Sequence, residues 1–172
     1  MDKSNIVLCG FMASGKTTVG KLLADLTGME LVDTDRLIEQ DTGMKIKEIF
    51  KSKGEDRFRE MERRKVVEVS GMDGLVIAVG GGAVLDSRNV EDLKRKAVVY
   101  LLEVSPEDVV RRTRTDERPL LAREAADIES LLRSREQAYL DASDVVVGTK
   151  GKSPGEIAGE IADDFFVREA GR

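Results

Sequence analysis

Eight residues near the start of the chain have the types and spacing to hold a chain of phosphates. Gly10-Phe11-Met12-Ala13-Ser14-Gly15-Lys16-Thr17 fits the pattern G-x-x-x-x-G-K-[ST]. Glycines let a backbone curl until its N–H groups point inward at an anion. A helix that follows adds the positive end of its dipole. In such a loop the Lys16 amine should reach the β- and γ-phosphates, and the Thr17 hydroxyl should ligate Mg²⁺. Gly10, Ala13, Ser14, Gly15 and Thr18 would complete the nucleotide cradle. The pattern alone fits a kinase, a GTPase or a motor ATPase. A GTPase should carry a base-reading N-K-x-D motif, which is absent, and a motor domain is usually much larger. A small-molecule kinase needs a second site for its acceptor, and several later residues could form one.

Asp33-Thr34-Asp35 follows a strand-like run, and in open α/β sheets ligands sit beyond the carboxyl ends of strands. Both carboxylates should then face the crevice, although Asp35 could equally cap the helix that begins at Arg36. Arg59 and Glu62 are three apart on a helical stretch, so they can pair. An arginine held this way offers a fork to a carboxylate, while a surface ion pair is the plainer alternative. Gly80-Gly81-Gly82 ends another strand-like run and would let the backbone approach a ligand closely. Residues 111–121 are dense in arginine within an acidic chain, and arginines neutralise charge on a transferring phosphoryl group. Solvated charge is the other reading there. Arg135 and Tyr139 lie one helical turn apart, which by itself fits an ordinary helix surface.

These residues need a scaffold, and the hydrophobic pattern supplies one. Short apolar runs at residues 6–9, 29–32, 76–79, 98–101 and 145–147 read as strands. They are apolar on consecutive positions, as expected when both faces of a sheet are covered. Between them the period becomes helical: Val19, Leu22, Leu23 and Leu26 would form one helix face that stops at Gly28. Ser105-Pro106-Glu107 reads as an N-cap with proline at the first helical position. Residues 124–142 and 154–169 also read as helices. Alternating strands and helices imply βαβ units and a mainly parallel sheet with helices on both sides.

Composition narrows the classes. At 172 residues the chain should form one domain. A net charge of -5 argues against general nucleic-acid binding. No apolar run approaches the roughly 20 residues that span a bilayer, and the N-terminus does not read as a signal peptide. The single cysteine, Cys9, allows no internal disulfide. A cytoplasmic protein is the expectation. With no histidine in the chain, any proton acceptor must be a carboxylate, lysine, tyrosine or that cysteine.

Together the phosphate loop, Asp33-Thr34-Asp35, Gly54-Glu55-x-x-Phe58-Arg59-x-x-Glu62, the triple glycine, Arg118-Pro119-Leu120-Leu121 and Arg135-x-x-x-Tyr139 resemble, in order, the motifs of the shikimate kinases. The resemblance spans about Ile6 to Pro154. It implies an α/β fold of three layers (α/β/α) with a five-stranded parallel sheet, a P-loop kinase fold with a substrate-binding subdomain at about 33–61 and a lid at about 113–125. It implies transfer of the γ-phosphate of ATP to the 3-hydroxyl of shikimate, with Mg²⁺ and a monomeric chain; another small-molecule kinase such as gluconate kinase is the alternative. By matched position, Asp35 would accept the proton, with Lys16 and Arg118 at the transferred phosphate. Asp33 would hold Mg²⁺ beside Thr17. Arg59 and Arg135 would clamp the shikimate carboxylate, oriented by Glu62, and Gly80, Gly81 and Gly82 would contact shikimate. Arg112 and Pro154 would flank the adenine.

Overall fold

The computed structural model describes residues 3–115 and 125–171. Five parallel strands, β1 (Asn5–Cys9), β2 (Glu30–Asp33), β3 (Leu75–Ala78), β4 (Ala97–Glu103) and β5 (Val145–Gly148), lie in the order β2-β3-β1-β4-β5. From β1 the chain crosses to the edge at β2, returns to β3 beside β1, and then passes to β4 and β5 on the other side, so connections leave β1 in opposite directions and a crevice opens at its carboxyl end, where α/β proteins place ligands. The strands agree with the apolar runs read from sequence to within one or two residues. Among the described residues, no helix is long and apolar enough to cross a membrane.

Alternate strand residues feed opposite faces. Ile6 and Leu8 pack with Val19 and Leu23 of α1 (Lys16–Thr27) and with Ile157, Ile161 and Phe165 of α7 (Pro154–Ala170). Val7 and Cys9 face the other way, toward α3 (Ile46–Ser70), α4 (Ser87–Lys96), α5 (Pro106–Thr115) and α6 (Ala125–Ala142). The α1 face differs from the sequence reading. Val19 and Leu23 are buried, but Leu22 is 38% and Leu26 57% exposed. Gly20 is the cause: it lies against Leu31, Leu8 and Val76, which rolls the helix toward its bare side and turns Leu22 and Leu26 outward.

A third, smaller cluster forms around Ile38, Ile49 and Phe58, between α2 (Thr34–Thr42) and α3. It depends on a break in α3. At Gly54 the backbone takes φ 80° and ψ 170°, a region open essentially to glycine alone. The kink redirects the second half of the helix, which carries Phe58, Arg59 and Glu62. Burial leaves Cys9 fully enclosed and pushes its thiol up to about 12.

Two glycines within helices should therefore respond oppositely to alanine. Gly54→Ala meets no atom within 4 Å, yet it should destabilise the protein by about 1–3 kcal/mol because its backbone region excludes a Cβ. Gly159→Ala, inside regular α7 and also without a neighbour within 4 Å, should stabilise by about 0.5–1 kcal/mol. Urea unfolding of the two variants measures both signs; a neutral Gly54→Ala would mean the kink carries no strain.

Candidate active site

The phosphate loop closes between β1 and α1. Gly10 (φ 138°) and Gly15 (φ 99°) take conformations that side chains disfavour, and Ala13 joins them at φ 58°. A Cβ on Gly10 would lie 2.7 Å from the Leu102 carbonyl oxygen, so the loop passes β4 too closely for any other residue. The Ser14 side chain is buried inside the turn, and Thr18 is exposed in the first turn of α1. The Lys16 amine lies across the loop, donating to the carbonyls of Gly10 at 2.8 Å and Phe11 at 2.9 Å. Arg112, from α5, donates to the Ala13 carbonyl at 3.0 Å. That hold on the loop was not legible from sequence. Pro154 opens α7 behind its N-cap, Ser153. Arg118 and most of the segment read as a lid lie outside the described residues.

At the end of β2 the two aspartates divide their work. Asp33 is the N-cap of α2: its Oδ1 accepts from the backbone N–H of Asp35 at 3.1 Å and of Arg36 at 3.2 Å. Its Oδ2 accepts from the Thr17 hydroxyl at 2.8 Å. The alternative in which Asp35 caps the helix is thus corrected; Asp33 caps, and Asp35 sits in the first turn of α2. Thr17 and Asp33 present two hard oxygens side by side at the loop. That set suits Mg²⁺, which commonly takes one or two protein oxygens and completes its shell with phosphates and water. Among the described residues no group of three or more acidic or thiol side chains could hold a metal ion by itself.

The three glycines at the end of β3 each touch a different part of the site. An ideal Cβ on Gly80 would fall 2.6 Å from Asp35 Oδ1 and 2.8 Å from Glu62 Oε1. One on Gly82 would fall 2.6 Å from Arg59 Nη2. Gly81 faces the phosphate loop, 3.6 Å from the Met12 nitrogen and 3.7 Å from the Gly10 oxygen by the same measure. The Gly80 N–H donates to the Thr34 hydroxyl at 3.1 Å, tying the ends of β2 and β3 together. Beyond Gly82 the turn is braced from α3 and α4. Arg63 donates to Asn89 Oδ1 at 3.1 Å and pairs with Asp92, and Asn89 donates to the Ala83 carbonyl at 2.8 Å.

Arg59 is held as a fork. Nη1 bonds Glu62 Oε2 at 2.8 Å, and Nη2 bonds Glu55 Oε1 at 3.1 Å. Burial works against its charge, but Glu62 and Glu55 outweigh it and raise the guanidinium's proton affinity. Burial likewise pushes the Glu62 carboxyl up; Arg59 pulls it back, and nearby Asp35 adds to the rise, leaving it above the ordinary carboxylate value. From α6, Arg135 acts on the Tyr139 phenol by charge and hydrogen bonding. The Tyr139 hydroxyl donates to the Gly81 carbonyl at 2.5 Å. The site therefore sets Arg59 beside a carboxylate pair, Asp35 and Glu62, on a floor of bare backbone next to a phosphate-binding loop, and Arg135 reaches that floor through Tyr139.

A family model for shikimate kinase matches residues 12–165. The shikimate kinase of Moorella thermoacetica is 47% identical over 161 residues, 92% of each chain. That of Persephonella marina is 44% identical over 158 residues, 91% of this chain and 96% of the relative. The chain belongs to the shikimate kinase family. Among solved structures, a shikimate kinase from Acinetobacter baumannii in complex with shikimate superposes with a TM-score of 0.90 at 36% identity, covering 96% of this chain and 94% of that one. A gluconokinase from Sinorhizobium meliloti reaches 0.54 at 13% identity, which is a likeness of fold alone. The reaction of a shikimate kinase is phosphoryl transfer from ATP to a hydroxyl of shikimate, and the P-loop kinase fold expected from sequence is the one observed.

The parts played by Thr34, by the Gly54 break and by the Tyr139 bond to Gly81 are not legible in the sequence. Thr34 is fully buried between Asp33 and Asp35; strand alternation alone would turn it away from them. Gly54 heads the Gly-Glu-x-x-Phe-Arg-x-x-Glu run, but a helical pattern continues on both sides of it.

Gly82→Ala should test the acceptor floor. The new methyl must displace the Arg59 guanidinium, the far end of a flexible side chain, so the fold should survive. The shikimate KM should rise about tenfold or more, as a charged hydrogen-bonding fork is moved, while the KM for ATP stays within about twofold of wild type. Steady-state kinetics with each substrate varied in turn gives both numbers.

Proposed function

We propose that this chain transfers the γ-phosphate of ATP to the 3-hydroxyl of shikimate in the crevice between the phosphate loop and the Gly80–Gly82 floor. The observation that carries the reading is the convergence of Asp35, Glu62 and Arg59 on that floor, whose middle residue packs against the phosphate loop. Two sites, one for a polyphosphate and one for a small acid with hydroxyls, thus share a wall.

Each role follows from the chemistry available. The backbone N–H groups of residues 10–15 and the Lys16 amine would hold the phosphates, Lys16 exchanging the loop carbonyls for phosphate oxygens. Arg59 and Arg135 would receive the carboxylate of shikimate, a planar anion that guanidinium forks match. Glu62, buried and bonded to Arg59, would fix the fork. Asp35 would bind the hydroxyls and take the proton of the attacking one as the new bond forms. Bound Mg²⁺, held by Thr17 and Asp33, would offset charge on the phosphates. Arg118, on a lid at about 113–125 closing over a substrate-binding segment at about 33–61, would meet the transferred group, and closure would exclude water. Arg112 and Pro154 would flank the adenine. All these residues come from one chain, so a monomer suffices. The acidic charge and lone cysteine suit the cytoplasm.

Asp35→Asn keeps the shape and removes the base. It should lower kcat by roughly 10²–10⁴, while Arg59→Lys should mainly raise the shikimate KM, by about tenfold. A coupled assay of ADP release with shikimate omitted, supplied, or replaced by gluconate checks the assignment. Turnover on gluconate equal to that on shikimate, or an active Asp35→Asn, would sink it.

A further inference from the structure

The two halves of the crevice meet at Gly81, and the Tyr139 side chain bonds the backbone there. Gly81 is the glycine that faces the phosphate loop, close to the backbone of Gly10 and Met12. Its carbonyl is the acceptor for the Tyr139 hydroxyl at 2.5 Å. Tyr139 is 3% exposed, so water competes little for that bond and its geometry is fixed by packing around α6. The same phenol is next to Arg135, one turn earlier on α6, and feels Arg59 across the site.

We propose that Tyr139 is a positioning residue that sets the spacing between acceptor and donor. It does so by pinning the Gly81 carbonyl, and it couples that spacing to the arginine on its own helix. The inference rests on the shikimate kinase reading and adds to it a residue that does not touch the reacting atoms. The physical reason is simple. Gly80, Gly81 and Gly82 have no side chains with which to pack, so the floor is held by what its backbone bonds. Gly80 is held from the β2 side through Thr34, and the turn after Gly82 is held by Asn89 through Ala83. Between these anchors Tyr139 holds Gly81. Without that bond the floor can shift along the direction that separates the attacking hydroxyl from the γ-phosphate. In-line transfer is steep in that distance. A misplaced acceptor also leaves the γ-phosphate open to water: a water oxygen then forms the new P–O bond, the bond to ADP breaks, and phosphate is released in place of the phosphorylated acid.

Tyr139→Phe removes one hydroxyl and keeps the ring that fills the core. In this variant kcat should fall roughly tenfold, since small misplacements have large rate effects, and the shikimate KM should rise. The KM for ATP should stay within about twofold, and the thermal midpoint within a few degrees. The ratio of free phosphate to phosphorylated shikimate should increase over wild type, which loss of packing alone would not cause. Unchanged kcat with unchanged coupling overturns the proposal. So does a variant in which both KM values and the thermal midpoint worsen together, since that marks a structural residue. Wild-type protein in the same assay separates this outcome from the parent reading: if it releases no ADP in response to shikimate, the family reading fails first.

Discussion

Residues 80 and 82 have no room for a side chain, and the site is organised around that constraint. A methyl at Gly80 would meet two carboxylates, and one at Gly82 would meet a guanidinium. The close approach is what brings Asp35 from α2 and Arg59 and Glu62 from α3 over the carboxyl end of β3. Each of these groups needs a different piece of the fold to get there. Asp35 needs Asp33 to take the cap of α2, which sets Asp35 in the first turn of the helix, against Gly80. Arg59 and Glu62 need the Gly54 break, which turns the second half of α3 back over the sheet.

The electrostatics follow from the same crowding. Glu62 is 2% exposed, and a buried carboxylate is costly unless paired. Arg59 pairs it and is itself fixed in turn, so neither side chain is free to wander when a ligand leaves or arrives. Asp35 adds negative charge beside Glu62. A ligand that brings a carboxylate to the arginines and hydroxyls to Asp35 would satisfy both signs at once, whereas a purely cationic or purely anionic ligand would satisfy only one.

Much of this arrangement was legible in the sequence because its parts are local. The phosphate loop is a contiguous motif whose strand and helix flank it, and the strand runs are apolar on both faces. Arg59 and Glu62 are three residues apart on one helix, so their pairing needed only helical geometry. What was not legible depends on packing between elements. The face of α1 followed Gly20's fit against β2 and not the run of leucines. The choice of Asp33 over Asp35 as cap turned on where β2 stops, a boundary that hydrophobic pattern places only to within a residue or two. The Tyr139–Gly81 and Arg112–Ala13 bonds join residues 58 and 99 positions apart, and no spacing rule reaches that far.

Without histidine, the proton acceptor proposed for this site has to be a carboxylate, lysine, tyrosine or the cysteine, and the fold commits several of these elsewhere. Cys9 is sealed in the core with its thiol pushed to about 12. Burial and Asp164 raise Tyr100, whose hydroxyl is spent on Asp164 on the face that α7 covers. Burial also raises Tyr139, which is a donor to Gly81. Lys16, positively charged at the phosphate loop, is suited to anions and not to taking a proton. Asp33 uses one oxygen on the α2 cap and the other on Thr17. Glu62 is enclosed and committed to Arg59. Asp33 and Asp35 are both half-buried at this crevice, and of the two it is Asp35 that lies against Gly80 on the acceptor floor. That place on the floor, beside the phosphate loop, is what supports the proposal of Asp35 as the base.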